Sequence, residues 1–94
     1  MYVLSVCGMG FGTSLMLLME VQSIAKEHGY TVDGEATDLG SAKGKSCDLI
    51  IASSEIAAEL SDEAAPVIAI DNLLDKEEIK EKVLPMIKKL AQEG

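Results

Sequence analysis

Cys7, Gly8, Met9, Gly10, Phe11, Gly12, Thr13 and Ser14 follow one another directly, and their types suit one kind of chemistry. A thiol is followed by three glycines in five residues and then by two hydroxyls. Glycine lets the backbone curl and come close to a ligand. A helix opening near Thr13 has first-turn N–H groups without intrahelical partners, and they point back at the loop. The helix dipole adds roughly half a positive charge there. Such a loop binds an anion without a basic side chain, and no Lys or Arg precedes Lys26. The same field favours a thiolate over the ordinary thiol, whose pKa is about 8.5. The loop therefore predicts a lowered pKa for Cys7 and a nucleophile that takes up a phosphoryl group. The backbone of residues 8–14 and the hydroxyls of Thr13 and Ser14 are the expected phosphate ligands. The plain alternative makes Cys7 a small buried apolar residue and the glycines a mere turn, but an ordinary strand-to-helix turn does not need three glycines followed by Thr-Ser.

Other chemistries fit the spacing less well. A cysteine phosphatase needs Arg six residues after its cysteine, where this chain has Thr13, and without the guanidinium clamp hydrolytic charge has little support. A nucleotide P-loop needs Gly-Lys-Ser/Thr; Gly12-Thr13-Ser14 lacks the lysine. Gly8, Gly10 and Gly12 miss the spacing of a dinucleotide fingerprint. A receiver domain would carry an aspartate after its third strand, where Ser53 and Ser54 stand here, and no Cys-x-x-Cys is present. His28, the single histidine, falls at the far end of the first helix as a capping or surface group. No metal site and no cofactor are expected. Two readings stay open beside a phosphoryl carrier: a low-molecular-weight phosphatase-like, cysteine-dependent hydrolase, and a non-catalytic anion-binding module.

Strand and helix signals alternate along the chain and set these residues in place. Residues 2–6 form an apolar strand that stops at Cys7. Residues 13–28 read as a helix closed by Gly29. Residues 30–36 alternate weakly, as an edge strand does, and residues 38–46 have room for a turn or two of helix. Residues 48–52 are a buried strand, after which Ser53 or Ser54 can cap a helix over about 55–60. Residues 66–70 are a fourth strand with Pro66 at its first position. Asp75-Lys76-Glu77-Glu78 has capping-box spacing, followed by Ile79, Val83, Ile87 and Leu90 at helical intervals. Pro85 removes one donor from that helix and predicts a bend. The pattern predicts an α/β fold: an open four-stranded parallel sheet of order 2-1-3-4, flavodoxin or Rossmann-like, with helices on both faces. Strand order reverses between the first and third strands, where ligands bind beyond the carboxyl ends. Cys7 belongs to one side of that point and Ser53 and Ser54 to the other.

The chain has 94 residues, enough for one domain over 1–94. Apolar residues make up 48%, so a core forms, and with three aromatics it must be built of aliphatic side chains and Met. A net charge of −8 argues against nucleic acid, whose binding rests on Lys and Arg. The longest apolar run, residues 15–19, is far short of the about twenty a spanning helix needs. No direct membrane insertion is expected, no secretory pattern opens the chain, and a cytoplasmic location follows. Cys47 falls at the opposite end of the sheet from Cys7. A five-residue strand spans roughly 17 Å and a disulfide needs Cα atoms within about 7 Å, so no bridge is expected and Cys47 is structural.

Leu17, Leu18, Val21, Ile24 and Ala25 already supply the inward face of the first helix. Met9, Phe11, Leu15, Met16 and Met19 are then left around the loop, either packed into the core or exposed. Flexible methionines near Cys7 suit a surface that docks two partners in turn.

At these residues the chain resembles the IIB component of a bacterial sugar phosphotransferase system, in the lactose/cellobiose superfamily and its ascorbate and galactitol branch. Residues 7–14 after the first strand carry the likeness, with Asp48-Leu49-Ile50-Ile51-Ala52-Ser53 and Asp71-Asn72-Leu73-Leu74-Asp75 in support. The resemblance implies a phosphocysteine at Cys7, a IIA phosphohistidine protein as donor, and a membrane IIC partner that holds the substrate. It carries over Cys7 as nucleophile and residues 8–14 as phosphate loop. Which sugar is taken, and whether Ser53, Ser54 or Asp71 assists, does not follow from it.

Overall fold

In the computed structural model, which describes residues 1–6 and 11–93, β1 (Tyr2–Val6) sends Val3 to one face of a sheet and Leu4 and Val6 to the other. The remaining elements are α1 (Phe11–Glu27), β2 (Asp33–Thr37), α2 (Leu39–Ala42), β3 (Leu49–Ser53), α3 (Ser54–Glu59), β4 (Val67–Ile70) and α4 (Lys76–Glu93). The four strands are all parallel, in the expected order β2-β1-β3-β4.

Period-two alternation sorts the core into two layers. Val3, Leu49, Ile51, Ile68 and Ile70 pack against Leu17, Val21 and Ile24 of α1 and Ile79, Val83 and Ile87 of α4. Leu4, Val6, Ile50 and Ala52 pack against Ala42, Ala57 and Leu60 on the other side. The central strands are covered on both faces and read as mainly apolar runs for that reason, with Ser5 the exception in β1. The edge strand β2 carries Asp33 and Glu35 instead, a composition that discourages further pairing.

Local chemistry sets the boundaries. Gly29 has φ +82°, Tyr30 N donates to the Ala25 carbonyl at 2.9 Å and Gly29 N to the Lys26 carbonyl at 3.1 Å, which is a Schellman ending of α1. His28 adds a ring nitrogen 3.0 Å from the Ile24 carbonyl, the capping place its position predicts. Because Tyr30 is held by that ending, β2 starts at Asp33, whose N–H donates to the Met1 carbonyl at 3.0 Å, rather than at residue 30. Gly34 lies opposite Val3. A Cβ there would collide with the Val3 carbonyl oxygen and sit 2.9 Å from Leu18 Cδ1, so the close seating of α1 on the edge strand requires glycine.

The last helix departs in one detail from its capping-box spacing. Asp75 Oδ1 accepts from Glu77 N at 3.1 Å and Glu78 N at 3.2 Å, as an N-cap residue does. Glu78 does not return to the Asp75 amide, because that N–H already donates to the Asn72 carbonyl at 3.0 Å. Its carboxylate reaches the amides of Asp71 and Asn72 instead. Ser53 occupies the N-cap of α3 without a side-chain cap bond, and Ser54 is used elsewhere. Helix α4 runs on through Pro85 to Glu93.

Candidate active site

The carboxyl ends of β1 and β3 lie side by side, with Val6 opposite Ala52, and β1 is joined to α1 by the thiol loop. Cys7, Gly8, Met9 and Gly10, with the Phe11 side chain, lie outside the described residues, and so do the expectations placed on them. The flanks of the loop are described. Ser5 is fully buried, and its hydroxyl donates to the Ser14 carbonyl at 2.7 Å. This ties the last turn of the strand to the first turn of the helix. Ser14 is 1% exposed, whereas Thr13 is half-buried and lines an open cleft of about 760 Å³. Ser53, Ser54, Asp71, Leu73 and Leu74 line the same cleft. The structure thus brings Thr13, both serines after β3 and the loop after β4 to one place, at the switch point of the sheet.

The wall formed by residues 71–74 is firmly tied. Ser54 Oγ donates to Asp71 Oδ1. Glu78 accepts from Asp71 N at 2.7 Å, from Asn72 N at 2.9 Å and from Lys82 Nζ at 2.7 Å. Lys82 and these two amides hold the Glu78 carboxyl at about 2, well below its ordinary 4.5. Lys82 Nζ also donates to the Ala69 carbonyl at 2.8 Å and stands 3.6 Å from Asp71 Oδ2. The Glu78 carboxylate raises the lysine's pKa in return. Sequence reasoning singled out neither Lys82 nor this use of Glu78. The available signal was their i,i+4 spacing, with the acid toward the N-terminus.

The first helix divides its apolar residues between two faces. Leu17, Leu18, Val21, Ile24 and Ala25 are buried, while Leu15 is 50%, Met16 61% and Met19 58% exposed. Leu74, across the cleft, is 78% exposed. Cys47 is far from this region, just before β3, where Asp48 N donates to the Tyr2 carbonyl at the amino end of the sheet. Its thiol is partly buried against the α2 and α3 layer. Burial first, then the carboxylates of Asp48 and Glu63, push its pKa up. Among the described residues no three His, Cys, Asp or Glu side chains gather as a metal site, and no helix is long and apolar enough to cross a membrane.

Comparison with known proteins gives the chain's family and fold. The family model described as PTS system, Lactose/Cellobiose specific IIB subunit matches residues 2–84. An ascorbate-specific PTS system EIIB component of Mycoplasma pneumoniae is 38% identical over 84 residues, covering 86% of this chain and 88% of the relative. Proteins of the same name from Salmonella choleraesuis and Salmonella typhimurium are 32% identical over 89 residues, covering 92% of this chain and 88% of each. The solution structure of an enzyme IIB subunit of the PTS system from Escherichia coli K12 superposes with a TM-score of 0.50 at 18% identity. It covers 98% of this chain and 90% of that one, and shares the fold.

Proposed function

Since the chain belongs to the lactose/cellobiose-specific IIB family of the PTS, a family of phosphoryl-transfer components of sugar uptake, we propose that it is a cytoplasmic phosphoryl carrier whose carrying atom is the sulfur of Cys7. The observation that supports this most is positional. The family match spans the thiol loop, and the described residues on either side of the loop lie at the switch point: Val6 is opposite Ala52, and Thr13 shares a cleft with Ser53 and Ser54.

In the first transfer the Cys7 thiolate attacks the phosphorus of a phosphohistidine on a IIA partner. The S–P bond forms as the N–P bond breaks, and the imidazole leaves with that electron pair. In the second, a substrate hydroxyl held by a membrane IIC partner attacks the same phosphorus. The O–P bond forms, the S–P bond breaks, the hydroxyl loses its proton and the thiolate is regenerated. Little covalent work falls to the protein, so positioning and amide donation carry both steps. The loop amides and the hydroxyls of Thr13 and Ser14 are the proposed donors to the phosphoryl oxygens; Ser14 is also tied through its carbonyl to Ser5. The substrate is a sugar or sugar-like molecule, and the names of the curated relatives make ascorbate the first to try, with galactitol next.

Intact mass after incubation with a phosphohistidine donor system tests the reading. A gain of one phosphoryl group, lost in Cys7→Ser, is the expected result. Turnover of a generic aryl phosphate without a stable phosphoprotein would mark a hydrolase. Full function in Cys7→Ser would mark a non-catalytic anion-binding module.

A further inference from the structure

The cleft proposed to receive the phosphoryl group is walled partly by carboxylates. Glu55 and Asp71 both line it, in a chain of net charge −8. A phosphoryl dianion arriving there meets like charge unless the carboxylate is compensated. The compensating group comes from a different element: Lys82 on α4 places Nζ 3.6 Å from Asp71 Oδ2. Its position is over-determined, since the same ammonium donates to Glu78 and to the Ala69 carbonyl. Glu78 fixes the other half of the arrangement through the amides of Asp71 and Asn72. Asp71 in turn takes the Ser54 hydroxyl, so α4 and the start of α3 are connected through one carboxylate. An exposed i,i+4 pair serving helix stability alone has no need of two loop amides and a strand carbonyl.

We infer that Lys82 is a positioning residue for phosphoryl transfer: it offsets the charge of Asp71 and, with Glu78, fixes the cleft wall that Asp71 and Ser54 share, so that the phosphoryl group can enter. The inference rests on the phosphocysteine reading above and extends it to the last helix.

The test follows donor-dependent phosphorylation of the full chain by intact mass, at low and high salt, with thermal unfolding measured in parallel. Lys82→Met is expected to slow transfer about tenfold at low salt, with the defect shrinking as salt screens the uncovered Asp71. Lys82→Arg keeps the rate. Adding Asp71→Asn to Lys82→Met restores it, because the carboxylate lining the cleft is then gone and Glu78 keeps the two loop amides. Lys80→Met, an equal loss of charge on the exposed surface of α4, leaves the rate unchanged. A purely structural lysine would show no recovery in the double variant. The inference is overturned if Lys82→Met transfers at the wild-type rate, or if Asp71→Asn fails to restore it. Should Lys82→Met unfold, Lys82→Gln is read by the same criteria. Absence of phosphorylation in the wild-type chain overturns the underlying reading, and a phosphorylated wild type with unaffected variants overturns this inference alone.

Discussion

Ser5 Oγ donates a 2.7 Å hydrogen bond to the carbonyl oxygen of Ser14, in a site where both residues are buried. Ser5 is the next-to-last residue of β1 and Ser14 lies in the first turn of α1, so the bond ties together the two elements between which the thiol loop must run. A serine in an otherwise apolar strand gives up apolar burial, and the bond offsets that loss.

Ser5→Ala should therefore destabilise the domain by about 1 kcal/mol, or about 4–8 °C in Tm for a chain of this size. It should also slow phosphorylation of Cys7, because the loop's ends are no longer fixed. Thermal unfolding and a timed mass assay check the two effects separately. An unchanged melting temperature would remove the stabilising role.

The two cysteines should differ sharply in reactivity. Burial and two neighbouring carboxylates push Cys47 up, so its thiolate forms only above the ordinary thiol range. Cys7 is expected below that range, from its place before the first turn of α1. Alkylation at pH 7 under limiting reagent should modify the peptide containing Cys7 and spare the one containing Cys47, with Cys47 reacting as pH rises. Equal labelling at neutral pH, or labelling of Cys47 first, would sink the activated-thiol reading.

Much of this architecture was legible in residue order. Apolar runs separated by short connections gave the parallel sheet and its strand order, because a strand buried on both faces has no polar alternation. The inward face of α1 was readable from spacing alone. What escaped were contacts made from one element or connection to the next, which periodicity within a single element does not show. Ser5 has no partner visible in its own strand, and its partner is a backbone carbonyl nine residues on. Glu78 sits at the spacing of a capping box, yet a turn bond from Asp75 to Asn72 satisfies the amide it would have served, freeing it for the β4–α4 connection. Strand β2 starts late because the Schellman ending of α1 claims Tyr30; Gly29 marked the ending in the sequence, but not that it would take the next residue with it. Lys82 carried no signal beyond i,i+4 spacing, so its approach to the cleft was unreadable.

Glu78 predicts a specific acid response. Its folded pKa is held at about 2 by Lys82 and the amides of Asp71 and Asn72, against an ordinary 4.5. A depressed carboxyl contributes stability that is fully present above the unfolded value and is lost as pH falls through the folded one. Between pH 4.5 and about 2 the wild-type chain should lose this contribution progressively. Glu78→Gln should be less stable than wild type at pH 7, and the gap should narrow toward pH 2. Urea unfolding across that window decides it, and a gap independent of pH would show that the charge of Glu78 contributes nothing.

The exposed apolar stripe on α1 supports the last prediction. Met16 and Met19 are 61% and 58% exposed while their helical neighbours Leu17 and Leu18 are buried. A solvated methionine costs little to remove from a free domain, since surface substitutions usually change stability by less than about 0.5 kcal/mol. If these side chains seat against the donor or the membrane partner, truncation removes interface contact that the free domain does not feel. Met16→Ala and Met19→Ala should melt as wild type does, yet raise the KM for the phosphohistidine donor about fivefold or more. The maximal rate should change little, because neither residue lies in the thiol loop. Measuring KM and maximal rate for each transfer step tells which partner uses the stripe. Unchanged values in both steps would leave these methionines without a docking role.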